Sequence, residues 1–97
     1  MNAKILEIGY GKVSKIKVGS KLPLVFIGGP CAIESREHSL RLAEKIKKIC
    51  DKVKINFIFK ACYDKDGRSS HNSFHGIGID KGLKILSEIR DKLGIPV

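Results

Sequence analysis

The sequence predicts an α/β fold with parallel strands, and two observations lead to this class. The continuous apolar run at 22–27 and the strand-like, mostly apolar run at 55–59 are typical of short strands that are buried on both faces of a sheet. Each run is followed by an amphipathic helical pattern, at 35–50 and at 79–93. Strands that alternate with helices along a chain form parallel sheets, with the helices as crossover connections.

Residues 1–20 predict a short N-terminal β-hairpin. Apolar residues within 5–8 and 13–18 flank the segment Gly9-Tyr10-Gly11-Lys12. Glycine reaches the backbone conformations that tight turns need, so this segment is the expected hairpin turn.

The first apolar run ends at Gly28-Gly29-Pro30, and a helix is expected to follow it. Ser35 is a candidate N-cap, because its hydroxyl can accept a hydrogen bond from a free N–H of the first turn. The buried face of this helix is expected to contain Leu42, Ala43, Ile46, Ile49 and Cys50. Lysines cluster towards its end, which is typical of a solvated helix C-terminus.

The second apolar run, 55–59, predicts another buried strand, which a long polar loop follows. Asp80 is a candidate cap of a second helix, and Gly94 is expected to end that helix. Its apolar stripe is expected to contain Ile79, Leu83, Leu86, Ile89 and Leu93. Residues 95–97 predict the start of a third strand.

These elements predict one partial domain over residues 1–97. The hairpin occupies 1–20, and the first two β/α units with the start of the third strand occupy 22–97. A (β/α)₈ barrel needs about 250 residues. The chain is therefore expected to be the N-terminal portion of such a barrel, truncated near the start of strand 3.

Composition indicates where in the cell the protein is located and which classes of partner it does not bind. No apolar run reaches the roughly 20 residues of a membrane span, and the first residues do not resemble a signal peptide, so we expect a cytoplasmic protein without a membrane partner. Three cysteines without a C-x-x-C motif disfavour a disulfide framework. The net charge of +9 suits nucleic-acid binding, but the aromatic content of 6% and the lysines gathered at one helix end disfavour that partner.

Polar segments follow both predicted strands, at 28–35 and at 60–78. The carboxyl ends of parallel strands meet at one edge, so the two segments are expected to face the same site. Lysine, arginine and serine bind phosphates and carboxylates, and the second segment supplies Lys60, Lys65, Arg68 and Ser69. The alternative is a polar surface loop with a turn at Asp66-Gly67.

Cys31 is a candidate metal ligand or nucleophile, with a buried small residue as the alternative. One cysteine cannot hold a metal by itself, because sites use at least three protein ligands. His38, His71 and His75 are the candidate further ligands, although the last two lie in a loop without helical ligand spacing.

Three segments in order resemble one enzyme family. They are Gly-Gly-Pro-Cys-Ala-Ile-Glu-Ser at 28–35, Phe-Lys-Ala-Cys-Tyr-Asp-Lys-Asp-Gly-Arg-Ser-Ser at 59–70 and Ser-Phe-His-Gly-Ile-Gly at 73–78. They are similar to 3-deoxy-D-manno-octulosonate 8-phosphate (KDO 8-phosphate) synthase. The resemblance covers about 22–97 and implies a (β/α)₈ barrel, usually tetrameric, with a hairpin at its bottom. It also implies a transferase of lipopolysaccharide biosynthesis that condenses phosphoenolpyruvate with D-arabinose 5-phosphate and releases phosphate.

The resemblance also implies roles for individual residues. Lys60 and Lys65 would be catalytic residues that bind phosphoenolpyruvate and neutralise its charge. Arg68 and Ser69 would bind the sugar phosphate across a subunit interface. Cys31 would be one ligand of a divalent metal, with Zn, Fe or Mn as the candidates.

Several features depart from the family pattern. Gly67, Asn72 and His75 stand where the family has Asn, His and Arg. The family's other metal ligands and later phosphate-binding residues have no counterpart in this sequence. We therefore expect this chain to be inactive alone, with a homo-oligomer or a complementing C-terminal chain as its partner. The alternatives are a 3-deoxy-D-arabino-heptulosonate 7-phosphate synthase-like enzyme and a non-catalytic anion-binding or interaction remnant.

Overall fold

Two pairs of short strands and two helices make up the described part of the chain, residues 4–64 and 76–97, in this computed structural model. In chain order the elements are β1 (Leu6–Ile8), β2 (Ile16–Val18), β3 (Val25–Gly28), α1 (Arg36–Val53), β4 (Asn56–Phe59) and α2 (Ile79–Leu93). This order confirms the predicted α/β class and the predicted succession of hairpin, strand, helix, strand and helix.

The N-terminal hairpin is present as predicted. β1 pairs antiparallel with β2, and Leu6 lies opposite Val18. Gly9 adopts a φ of +122°, a conformation that favours glycine, within the connection between the strands. Ser14 N–H donates to Gly94 O at 3.1 Å, so the hairpin is attached to the end of α2.

β3 and β4 form the predicted parallel pair, with Val25 opposite Asn56 and Gly28 opposite Phe59. Residues 95–97 form no strand, and one hydrogen bond from Phe59 N–H to Pro96 O (3.0 Å) joins them to β4. Pro96 has no N–H to extend a ladder, which limits strand pairing there. The prediction that a third strand starts at 95–97 therefore stays a prediction, and this segment lies beside β4.

One of the two predicted helix caps, Ser35, is confirmed, and the other, Asp80, is wrong. Ser35 caps α1, because its Oγ accepts a hydrogen bond from His38 N–H at 3.1 Å. Asp80 does not cap α2, which begins at Ile79 after Gly78 without a side-chain cap. Asp80 lies instead in the first turn, where a negative charge interacts favourably with the helix dipole.

The buried helix faces follow the predicted stripes only in part. Ala43, Cys50 and Ile89 are buried as predicted, whereas Ile49 and Leu83 are 63% and 51% exposed. The predicted α2 stripe also placed Ile79 in the core, and this residue is exposed. The face of α2 that is actually buried consists of Gly82, Ile85 and Ile89. Within the described ranges, neither helix is long and apolar enough to cross a membrane.

The core lies between β4 and the inner faces of the two helices. Its largest fully buried apolar side chains are Phe59, Ile33 and Ile89. β3 was predicted to be buried on both faces, but Leu24 beside it is 79% exposed and Ile27 within it is 58% exposed. Within residues 4–64 and 76–97, β3 pairs only with β4, so its other edge and part of its apolar surface stay open.

An ion pair joins the first turn of α1 to α2. Arg36 Nε lies 2.8 Å from both carboxylate oxygens of Glu88, and Arg36 Nη2 also contacts this carboxylate. The hydrogen bond and charge of Arg36 lower the pKa of Glu88 below its ordinary value. Both side chains are partly exposed, so salt is expected to weaken this link between the helices.

We expect Gly82→Ala to destabilise the protein, although alanine normally favours a helix interior. A Cβ at residue 82 would collide with Cβ of Tyr63, on the segment that follows β4. The expected loss is about 1–3 kcal/mol in the free energy of unfolding, measured by urea denaturation. Lys81→Ala, at the exposed neighbouring position, is the control. A Gly82→Ala protein as stable as Lys81→Ala would contradict this contact.

We expect Glu88→Gln to change how stability depends on pH. The folded pKa of Glu88 is lowered, so its contribution is present above the unfolded carboxyl pKa of about 4.3 and is lost as the pH falls through the folded value. Urea denaturation from pH 7 to pH 3 should show a lower stability at neutral pH and a shallower acid decline. Glu37, whose carboxylate lies 3.9 Å from Arg36, provides the control Glu37→Gln. If the stability of wild type and of Glu88→Gln falls identically as the pH is lowered, the ion pair does not contribute to the pH dependence of stability.

Candidate functional site

The two predicted site segments run side by side beyond the ends of β3 and β4. Lys60 N–H donates to Gly28 O at 2.9 Å, and Ile33 N–H donates to Cys62 O at 2.9 Å. Ala32 and Cys62 form an isolated parallel bridge. The predicted meeting of these segments at one edge of the sheet is therefore confirmed for their described residues.

A close backbone approach lies at the centre of this edge. A Cβ on Gly29 would collide with the carbonyl oxygen of Lys60 and would lie 3.0 Å from a ring carbon of Phe59. Only a residue without a side chain fits between the two strand ends. Sequence reasoning noted Gly28-Gly29-Pro30 only as the end of the first apolar run and did not foresee this contact, although glycine after a strand can signal a close backbone approach.

Cys31 and Lys60 both have exposed side chains at this edge. The exposure of Cys31 in the described part of the chain favours a ligand or a nucleophile over a buried small residue. Lys60 presents a solvated cation immediately after β4, whose last residue, Phe59, is fully buried. The edge therefore offers a thiol and a positive charge to solvent, which suits the binding of an anionic ligand.

The described residues do not fit a complete metal site. Within 4–64 and 76–97, no group of three His, Cys, Asp or Glu side chains is placed to hold a metal ion. His38 is exposed on the first turn of α1, where its Nδ1 lies 4.0 Å from a Glu34 carboxylate oxygen. Cys31 is thus one candidate ligand where at least three are needed, and no chemical step can be derived through a metal here.

Several predicted site residues lie in 65–75, outside the described residues. They are Lys65, Arg68 and Ser69, the candidate ligands His71 and His75, and the departures Gly67 and Asn72. Their roles stay predictions.

Contacts on both sides of 65–75 bring residues 63 and 76–78 together. Gly78 N–H donates to Tyr63 O at 2.9 Å. Gly76 has a φ of +135°, and a Cβ there would collide with the same carbonyl oxygen. Tyr63 also packs against Gly82 of α2. Tyr63 therefore holds residues 76–78 close to the start of α2, a role that sequence reasoning missed.

The other two cysteines do not resemble reactive thiols. Cys50 is buried in the core, and this burial, followed by the charge of Asp51, raises the pKa of its thiol. A raised pKa disfavours the reactive thiolate. Cys62 is half-buried and takes part in the contact between the segments through its backbone.

An open cavity of about 860 Å³ lies elsewhere, between the hairpin turn and the end of α2. Tyr10, Lys12 and Arg90 are among the residues that line it, and it contains neither Cys31 nor Lys60. Arg90 is already engaged with Asp91 at 3.0 Å. The cavity therefore does not coincide with the edge that presents Cys31 and Lys60. That edge is the better candidate site, because it offers a thiol and a positive charge to a ligand.

Comparison with known proteins gives the family. Residues 4–97 match the family described as DAHP synthetase I. The chain belongs to this family. The match includes both strand-end segments of the candidate site.

Curated relatives within the family support the resemblance seen in the motifs. The chain is 45% identical over 86 residues to a Rickettsia felis protein, 47% over 85 residues to one from Geobacter sulfurreducens, and 49% over 93 residues to one from Geotalea uraniireducens. These matches cover 89%, 88% and 96% of the chain, but 31%, 31% and 33% of the relatives.

All three relatives are named 2-dehydro-3-deoxyphosphooctonate aldolase, which is KDO 8-phosphate synthase. The predicted resemblance is confirmed. The chain spans about a third of the length of these curated family members.

In this family member, we expect Gly29→Ala to disrupt the strand-end edge. The added methyl group would push Lys60 O away from residue 29 and weaken the neighbouring hydrogen bond to Gly28. The expected loss of stability is about 1–3 kcal/mol by urea denaturation. Gly19→Ala is the matched control, because its Cβ would meet only side-chain atoms, at 3.4 Å or more. Equal stabilities of the two variants would contradict the close approach.

Proposed function

We propose that this chain forms part of the active site of a KDO 8-phosphate synthase. The reaction would condense phosphoenolpyruvate with D-arabinose 5-phosphate, consume one water, release phosphate and serve lipopolysaccharide biosynthesis. The observation that carries the proposal is the exposed Lys60 at the carboxyl end of β4, beside the segment that follows β3. The names of the relatives favour this product.

Lys60 is proposed to bind phosphoenolpyruvate and to offset its negative charge. The backbone of Lys60 is held by Gly28 and confined by Gly29, so the start of its side chain has a defined position. A positioned cation stabilises developing charge better than a mobile one, because little reorganisation is needed during the reaction. Lys65 is proposed to add a second positive charge at the same substrate.

Arg68 and Ser69 are proposed to bind the phosphate of the sugar. A guanidinium can donate two parallel hydrogen bonds to a phosphate, and a serine hydroxyl can add a third. Binding the sugar phosphate would hold the aldehyde near the enol carbon of phosphoenolpyruvate. The family resemblance supports this pair.

Cys31 is proposed as one ligand of a divalent metal, with Zn, Fe or Mn as candidates. Its exposure at the edge of the site supports this role. The described residues supply no complete ligand set, so no step of the reaction is assigned to the metal.

The architecture is proposed to be a partial (β/α)₈ barrel over residues 1–97, inactive alone. The parallel pairing of β3 with β4, and the contact of 95–97 with the other edge of β4, support an arrangement that continues around a barrel. The open edge and exposed apolar residues of β3 support completion by further strands. These strands would come from a complementing chain, with a homo-oligomer as the expected higher assembly.

The proposal predicts activity only after complementation. The chain would be assayed for phosphate release from phosphoenolpyruvate and D-arabinose 5-phosphate, alone and co-expressed with the part of the Geotalea uraniireducens relative that lies outside the match. We expect no activity alone and measurable activity in the complemented protein. Lys60→Met should then lower kcat by roughly a hundredfold, as the loss of one charge-stabilising group typically does. Lys12→Met, on the hairpin turn, is the control and should leave activity unchanged.

Two outcomes would contradict the proposal. One is a complemented, folded protein without activity under conditions in which the intact relative is active. The other is full activity of complemented Lys60→Met. The nucleotide sequence that follows the Val97 codon, read in every frame, would show whether the adjoining DNA encodes the other strands of the proposed barrel.

A heptulosonate 7-phosphate synthase is the second candidate, favoured by the family's description as DAHP synthetase I. It would use a four-carbon aldose phosphate, because phosphoenolpyruvate supplies the other three carbons of a seven-carbon product. The ratio of kcat/KM for the four-carbon and five-carbon sugars in the complemented protein separates the two candidates.

A further inference from the structure

A row of four cationic side chains runs along the outer face of α1. Arg41, Lys45, Lys48 and Lys52 follow one another at spacings of four, three and four residues, and all four are exposed. These spacings place them within about 60° of arc around the helix axis and along about 16 Å of its length. Ala43 and Cys50, on the other side of the helix, are buried in the core. We call these four residues the basic row.

The basic row is not neutralised by the helix that carries it. Among residues 4–64 and 76–97, its members form no ion pair within 4.0 Å. The acidic residues of α1 are paired with other cations: Glu37 with Arg36 at 3.9 Å, Glu44 with Lys92 at 3.8 Å, and Asp51 with Lys47 at 2.7 Å. A second copy of the chain would bring the same paired acids and its own charge of +9, so it is a poor partner for the row.

Two exposed aliphatic side chains follow one edge of the basic row. Ile49 and Val53 lie one turn apart and are 63% and 56% exposed. Nucleic-acid phosphates would engage the cations but would leave this pair without a partner, and the chain has few aromatic residues for stacking on bases. A protein helix can satisfy both features, because acidic and apolar side chains can alternate along one of its faces.

We propose that the basic row, together with Ile49 and Val53, docks an acidic amphipathic helix of a partner protein. The partner's carboxylates would face the four cations, and its apolar residues would cover the aliphatic pair. The surface lies on the outer side of α1, whereas the proposed active-site edge lies beyond β3 and β4. Docking is therefore independent of the catalytic proposal, and either can fail without the other.

The test uses the complete 97-residue chain and a synthetic helical peptide. The peptide carries Glu at positions i, i+4, i+7 and i+11 and Leu along the adjacent edge, and binding is followed by fluorescence anisotropy. We expect binding that weakens as salt rises from about 0.05 to 0.5 M, because exposed charges are screened. Replacing all four members of the row by Gln should raise Kd by about tenfold or more. Ile49→Ser should also weaken binding, and this loss should persist at high salt.

The matched control removes four positive charges elsewhere, through Lys12→Gln, Lys17→Gln, Lys21→Gln and Lys81→Gln. It should change Kd by less than about twofold at the same ionic strength. Circular dichroism would show that both quadruple variants keep their helices. A reversed pair, in which the row is replaced by Glu and the peptide carries Lys, should recover binding even if neutral variants are poorly folded.

Three results would overturn the proposal. An equal loss of binding in the control would show that only net charge matters. Failure of the reversed pair to bind would show that the row does not contact the peptide. Tighter binding to duplex DNA or to phosphatidylserine vesicles than to the peptide, abolished by the same four substitutions, would assign the row to another class of partner.

Discussion

The parallel pairing of β3 with β4 is the constraint on which the rest of the described structure depends. It places β4 beside the core, where Phe57 and Phe59 belong to one cluster with buried residues of both helices, and 95–97 contacts the other edge of β4. The same pairing carries the chain directly from the buried Phe59 to the exposed Lys60. The core and the candidate site therefore share one hydrogen-bonded ladder, and a defect in that ladder would affect stability and substrate binding together.

Glycines let this ladder continue into the site at close range. Gly29 allows the backbone after β3 to approach Lys60, and Gly82 allows α2 to approach Tyr63. At both positions the absence of a side chain is what allows the close approach, because an added Cβ would collide with the neighbour. The contact at Gly29 gives the proposed catalytic Lys60 a defined backbone position. The contact at Gly82 connects Tyr63 to α2.

The surfaces on the two sides of the molecule have different chemistry and different proposed partners. The open side of β3 is apolar around Ile27, which suits the further strands of the proposed barrel. The outer side of α1 is cationic, and its charge does not contribute to the core. Burial of apolar area provides most of the energy that completes a fold, whereas exposed charge contributes mainly to the choice of partner and to the rate of association. The proposed completion of a barrel and the proposed docking on α1 thus use separate surfaces of the chain.

The sequence alone determined the order and type of the elements, the Ser35 cap and the family, because these depend on local periodicity, local hydrogen bonding and motif order. It did not determine fully which face of α2 is buried: Leu83 was expected in the core and is exposed, whereas Gly82 is buried close to Tyr63. Only the tertiary structure showed that Gly29 confines Lys60. Such contacts join residues far apart in the chain, and their distances depend on how the strands and helices pack together, which local patterns do not encode.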